Sequence, residues 1–178
     1  MIETTAGYFS FKEILEDGQK ALDSKLYRIA LMLALIVPSA CSRVEFANDN
    51  KYRDHDGNWR DRDCYIDWCL LHGIKYIDAE NKCNNVDNGQ LNKGYCQNIY
   101  EIRCGVIHAS EIQCDIVCNL CANIDQTVCN NVNCDKVNQY DICVVPFCRQ
   151  MFEVGMECYE KHKEAFDVAK LPMKLYEF

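Results

Sequence analysis

The chain is poor in the residues that interrupt regular structure. It has 3 prolines and 8 glycines in 178 residues, which leaves little room for long unstructured linkers. It has no low-complexity tract and no internal repeat period, so it reads as one domain over residues 1–178 with one core. Positive charge is also in short supply. The 19 Lys and Arg face 27 Asp and Glu, giving a net charge of −8, which argues against broad non-specific nucleic-acid binding but leaves room for a local basic site. The N-terminal Met1-Ile2-Glu3-Thr4-Thr5 carries an acid and no apolar stretch, unlike a secretory leader. The longest apolar run, Ile29 to Val37, falls short of the roughly 20 residues that cross a bilayer. A buried helix, without membrane contact, is the expectation.

What is abundant is cysteine, with 14 residues. A secreted disulfide scaffold is shorter, richer in glycine and poorer in helix signals. Here Cys143, Cys148 and Cys158 occupy apolar positions, where a free thiol acts as a small hydrophobe. Reduced thiols and a cytoplasmic location are expected.

Helical periodicity dominates. Ser10-Phe11-Lys12-Glu13 is a capping-box pattern ahead of an apolar stripe of Phe11, Ile14, Leu15 and Leu22. Asp23-Ser24 offers a break and a new cap, and a second helix runs to about Cys41, bent near Pro38. Residues 47–63 and 81–92 are polar and read as loops. Between them Tyr65, Trp68, Cys69 and His72 share a helix face, stopped by Gly73. A fourth helix covers Lys93 to His108. Alternation of Ile116, Cys118, Leu120 and Ala122 within residues 114–133 suggests a short β-hairpin. A last helix begins near Val144 and passes His162. The expected fold is mainly α, an up-and-down bundle of about five helices with a small inserted β-hairpin.

The segment Ile99-Tyr100-Glu101-Ile102-Arg103-Cys104-Gly105-Val106-Ile107-His108 carries the strongest chemical signal. On a helical wheel Ile99, Tyr100, Ile102, Val106 and Ile107 form an apolar arc, and Arg103 falls inside it. An arginine there needs a carboxylate, a phosphate or an interface. His108 lies about 140° round the helix from Arg103, so their convergence needs an opened last turn near Gly105 or a second subunit. The plainer alternative pairs Arg103 with a buried acid and lets His108 cap a helix end, where the dipole favours its charge.

Arg103-x4-His108 near the end of an interior helix resembles the HEPN superfamily, whose signature is an arginine and a histidine four to six residues apart. Further stretches are similar to a plasmid- and prophage-borne branch of it: Leu35-Ile36-Val37-Pro38-Ser39-Ala40-Cys41, Tyr65-Ile66-Asp67-Trp68, and Asp141-Ile142-Cys143-Val144-Val145-Pro146-Phe147-Cys148. The resemblance implies a metal-independent endoribonuclease without cofactor, acting as a toxin or defence effector. Its implied partners are RNA, a second copy in a homodimer and an antitoxin protein. It implies that Arg103 binds and polarises the scissile phosphate while His108 moves a proton at the ribose 2′-hydroxyl and the leaving oxygen. Both roles suit the residue types. Cys104 stands where many active members have a polar residue.

Other constellations compete. Tyr100 and Glu101 precede His108 by one to two turns and are candidate orienting groups. Cys104 and His108, at i and i+4, are a conceivable thiol–histidine pair. Cys118-x2-Cys121 with Cys129-x4-Cys134 could hold zinc, although the second spacing is wide for a knuckle. Residues 54–63 resemble part of a calcium loop, with Tyr52 at the first ligand position and Asp63 too short at the last. His72 and His162 lie on apolar stripes and read as core or rim residues. Beside the ribonuclease, two other classes fit: a non-catalytic bundle that binds a partner protein or nucleotide, and a zinc-stabilised structural module.

Overall fold

Ser10 opens the first helix as its sequence predicts. Its hydroxyl accepts the Glu13 N–H at 3.2 Å and the Glu13 carboxylate accepts the Ser10 N–H at 2.7 Å, closing the capping box. Helix α1 (Phe11–Asp23) buries Phe11, Leu15, Gly18, Ala21 and Leu22. The protein is seen here as a computed structural model that describes residues 7–74, 86–87, 90–91, 93–107, 116–121, 138–168 and 171–173.

The break after α1 is as expected, but Ser24 does not cap the next helix. Lys25 takes the left-handed conformation, φ 60°, and α2 (Tyr27–Glu45) starts after Leu26 without a side-chain cap. Helix α2 continues through Pro38 and past Cys41 to Glu45. Its buried Leu35, Val37, Cys41 and Ser42 supply packing that outweighs the one backbone donor proline removes. At 19 residues α2 is long and apolar enough to cross a membrane. That composition has a local reason: α2 contacts α1, α3, α4 and α5 and so needs apolar residues on several sides.

Residues 47–63 are more ordered than a plain loop. They hold a 3-10 turn, Asn50–Tyr52, and a bridge between Arg53 and Trp59. Helix α3 (Asp61–Leu71) already begins inside this polar stretch, because Asp61 and Asp63 favour a helix's first turn. Gly73, at φ 62°, ends it in the left-handed conformation that glycine tolerates. Strands β2 (Val86–Asp87) and β3 (Gln90–Leu91) form a small antiparallel pair. Helix α4 spans Lys93–Ile107.

Among the described residues, the hairpin predicted within residues 114–133 is not seen. Strand β4 (Ile116–Cys121) does form, but its partner is β5 (Asn138–Cys143), and the two run parallel with Ile116 opposite Asn138 and Cys121 opposite Cys143. A parallel pair needs a connection that carries the chain back to the same end, not a tight turn. The alternation of Ile116, Cys118 and Leu120 marks one strand and says nothing of its partner's direction. Helix α5 (Val144–Lys161) follows β5 directly, with Pro146 in the first turn, where its missing N–H costs little. Helix α6 (Lys163–Val168) and strand β6 (Leu171–Met173) follow, and β6 pairs antiparallel with β1 (Gly7–Phe9).

The molecule is mainly helical, a bundle with α2 at its centre. Trp68, Tyr65, Phe147, Leu15 and Leu35 are among the largest fully buried side chains. Cys41, Cys64, Cys69, Cys96, Cys148 and Cys158 are buried free thiols. Burial pushes Cys64, Cys96 and Cys148 up to about 12, so they stay protonated and unreactive. Helix α5 approaches α1 and α2 closely at Gly155, where an added Cβ would lie 2.8 Å from Val37 Cγ1 and 2.9 Å from Leu15 Cδ2. Alanine gains about 1 kcal/mol of helix propensity over glycine, whereas overpacking costs roughly 1–3 kcal/mol. Here the clash involves side chains from two helices at once, so the cost wins. Gly155→Ala is expected to lower the urea midpoint at unchanged m-value.

Candidate functional site

Ile99 and Ile102 anchor α4 in the core, at 0% and 1% exposure. That placement fixes Arg103 at the edge of the apolar face, with a side chain 18% exposed. A guanidinium this far from water needs a counter-charge. Asp61, the first residue of α3, provides it at 3.3 Å between Nη2 and Oδ2. Arg103 Nη1 lies 3.9 Å from Cys104 Sγ, and its Cζ sits 5.5 Å from the centre of the Tyr100 ring. Tyr100 meets Tyr65 edge-on at 5.3 Å, and the Tyr65 hydroxyl donates to Leu35 C=O at 3.2 Å. Burial disfavours the Arg103 charge, but Cys104 and Asp61 more than offset this and hold its pKa above the ordinary arginine value. Burial also raises Tyr100, reinforced by Cys104 and Asp61, so its phenol stays protonated at neutral pH.

The guanidinium is held but not saturated. It has five N–H donors, and its Nε is buried with no hydrogen-bond partner among the described residues. On the other side of Asp61, Arg43 from the last turn of α2 places Nη2 3.9 Å from Oδ1. Two arginines from two helices therefore flank one carboxylate from a third.

Of the expected site residues, the structure brings Arg103, Cys104 and Tyr100 together. Glu101 accepts from Gln97 Nε2 at 3.0 Å, one turn back along α4. His108 lies outside the described residues, immediately after the last residue of α4. Cys118 and Cys121 both lie in strand β4, an extended segment rather than the tight turn a zinc knuckle uses. Cys129 and Cys134 are outside the described residues. In the stretch resembling a calcium loop, Asp54 Oδ1 accepts from the N–H groups of Asp56 and Asn58 at 2.9 and 2.8 Å. That oxygen holds its own turn. Sequence reasoning required a carboxylate, a phosphate or an interface for Arg103 but did not identify Asp61, which lies in a segment that reads as loop. It missed Arg43 altogether, since nothing local marks a residue whose partner is on another helix.

A second polar cluster joins three helix ends. The Glu45 side chain, at the end of α2, is 7% exposed. Its Oε2 accepts from Trp68 Nε1 at 2.6 Å and lies 2.7 Å from His72 Nε2. Its Oε1 lies 3.5 Å from Lys161 Nζ and 3.7 Å from His162 Nε2. The two histidines, read as core or rim residues, thus meet at this carboxylate with exposures of 24% and 27%. Burial alone would raise the Glu45 pKa, but the contacts with His72, Trp68 and Lys161 outweigh it and hold it below the ordinary glutamate value.

No protein-family model, curated protein or solved structure matches the chain.

The Glu45 cluster carries a stability expectation. A carboxyl whose folded pKa is depressed stabilises the fold at pH values above its unfolded pKa of about 4.3, and that contribution is lost as pH falls through the folded value. Glu45→Gln is expected to unfold at lower urea than the wild type at pH 7, with the difference shrinking below about pH 4. A constant difference across that range, followed by urea titration, would show that the charge contributes nothing.

Proposed function

We propose that the protein is a HEPN-like, metal-independent endoribonuclease in which Arg103 binds the scissile phosphate and His108 moves the proton. The observation that carries this reading is the unsatisfied Arg103 guanidinium. A buried donor without a partner costs about 1–3 kcal/mol, and a phosphate oxygen is the acceptor that Nε–H and its neighbouring N–H best fit, once RNA displaces the groups that close Nε off from solvent. Asp61 supports the same role, since a carboxylate contact of 3.3 Å to Nη2 orients the guanidinium while leaving Nε–H without a partner. Tyr100, with its ring under the guanidinium, restricts it further. Histidine at position 108, one residue beyond α4, suits general acid–base work because imidazole titrates near neutrality. The chemistry is a transfer within RNA. The 2′-oxygen, losing its proton, attacks the neighbouring phosphorus, and the 5′-oxygen leaves with a proton.

A homodimer completes this proposal. Leu26, at the N-cap of α2, and Ile29 and Met32 within it are exposed at 52%, 49% and 44%, three residues apart in sequence, an apolar strip that a second copy would cover. A toxin or defence role, with an antitoxin protein as partner, belongs to the same proposal.

The Arg103–Asp61 pair also favours a second reading, a non-catalytic bundle in which Arg103 only ties α4 to α3. The two readings separate in one experiment. Purified protein is expected to cut single-stranded RNA in the presence of EDTA, and His108→Ala to abolish cutting with the helical circular dichroism spectrum unchanged. RNA left intact by the wild-type protein would favour the binding module. Cutting that survives His108→Ala would place the activity elsewhere.

A further inference from the structure

We infer that Arg43 is a second phosphate ligand of the proposed RNA site, holding the strand at the phosphate next to the scissile one. The inference rests on the ribonuclease reading and adds to it a residue from a different helix.

Arg43 and Arg103 share Asp61, one on each carboxylate oxygen, at 3.9 and 3.3 Å. Two cations on one anion leave an excess of one positive charge at this point, on a chain whose net charge is −8. The neighbouring Arg60 does not add to it, because it pairs with Asp63. Neither shared contact reaches the roughly 2.7–2.9 Å of a tight charge-assisted bond. Asp61 therefore positions both guanidiniums, offsetting the repulsion between them, without locking either.

Exposure then divides the labour. The Arg103 side chain is 18% exposed and the Arg43 side chain 63% exposed. The inner guanidinium, backed by Tyr100, has the fixed orientation that a reacting phosphate requires. The outer one is free to turn toward a phosphate arriving from solvent. Adjacent phosphates along one strand present such an inner and outer pair of anions. An arginine used this way contributes affinity without reading bases. This also accommodates a strongly acidic chain, since a few local contacts replace a broad basic surface.

Binding of a fully 2′-O-methylated single-stranded RNA, which lacks the attacking hydroxyl, tests this without cleavage. Affinity is measured by fluorescence anisotropy over a series of salt concentrations, using the full chain. Arg43→Ala is expected to weaken binding about 5–10-fold and to flatten the salt slope by about 0.7, the value for one lost phosphate contact on a single strand. Arg43→Lys is expected to restore the slope, because it keeps the charge, but only part of the affinity. Thermal melting should be unchanged in both variants, as the residue is exposed. Unchanged affinity and slope in Arg43→Ala, with wild-type binding intact, would overturn this inference and leave the ribonuclease reading standing. Failure of the wild-type protein to bind the RNA would overturn both.

Discussion

The candidate site depends on one carboxylate. Asp61 stands where α3 begins and meets guanidiniums from α2 and α4. Without it, the half-buried Arg103 charge would have no counter-charge among the described residues, and the position of Arg103 at the edge of the core would be costly to keep. With it, Arg103 is charged and oriented, with Nε–H still unpartnered. That combination is what the proposed phosphate-binding role draws on; a purely structural arginine is more often closed by a bidentate partner.

The bundle serves this arrangement by fixing three helix ends. Helix α2 runs through the centre and delivers Arg43 and Glu45 in its last turn. Arg43 faces the Asp61 end of α3. Glu45 reaches Trp68 and His72 at the other end of the same helix, and Lys161 and His162 beside α5. Helix α3 is thus tied to α2 near both of its ends by polar contacts, while Tyr65, Ile66 and Trp68 between them are buried. The site is built on packed helices whose relative positions the core sets, which suits a geometry that must hold to within about half an ångström.

Much of the helical plan was legible because it is local. The Ser10–Glu13 box, the 3.6-residue stripes and the Gly73 stop each act over a few residues, and each is realised. The start of α3 was misplaced because a polar first turn looks like loop until its helix is known. Helix α2 runs past the expected end near Cys41 because burial against four helices carries it on to Glu45. Strand pairing was not legible: alternation identifies β4, but its parallel partner comes from 138–143, beyond a long intervening segment. At the site, the demand of Arg103 for an anion followed from its place on an apolar arc. The identity of Asp61, and the presence of Arg43, depend on how three helices cross, which no single stretch encodes. His108 and the pair Cys129 and Cys134 lie outside the described residues, so their roles rest on sequence alone.

The most direct test of the central claim follows the Arg103 Nε–H itself. In a 15N-labelled protein, with the resonance assigned through Arg103→Lys, the 2′-O-methylated RNA is titrated in and the arginine Nε signals are recorded. The account predicts that the Arg103 signal shifts downfield in saturable fashion as a phosphate oxygen takes up the free donor. A signal that stays in place while the RNA binds would show that this guanidinium belongs to Asp61 alone.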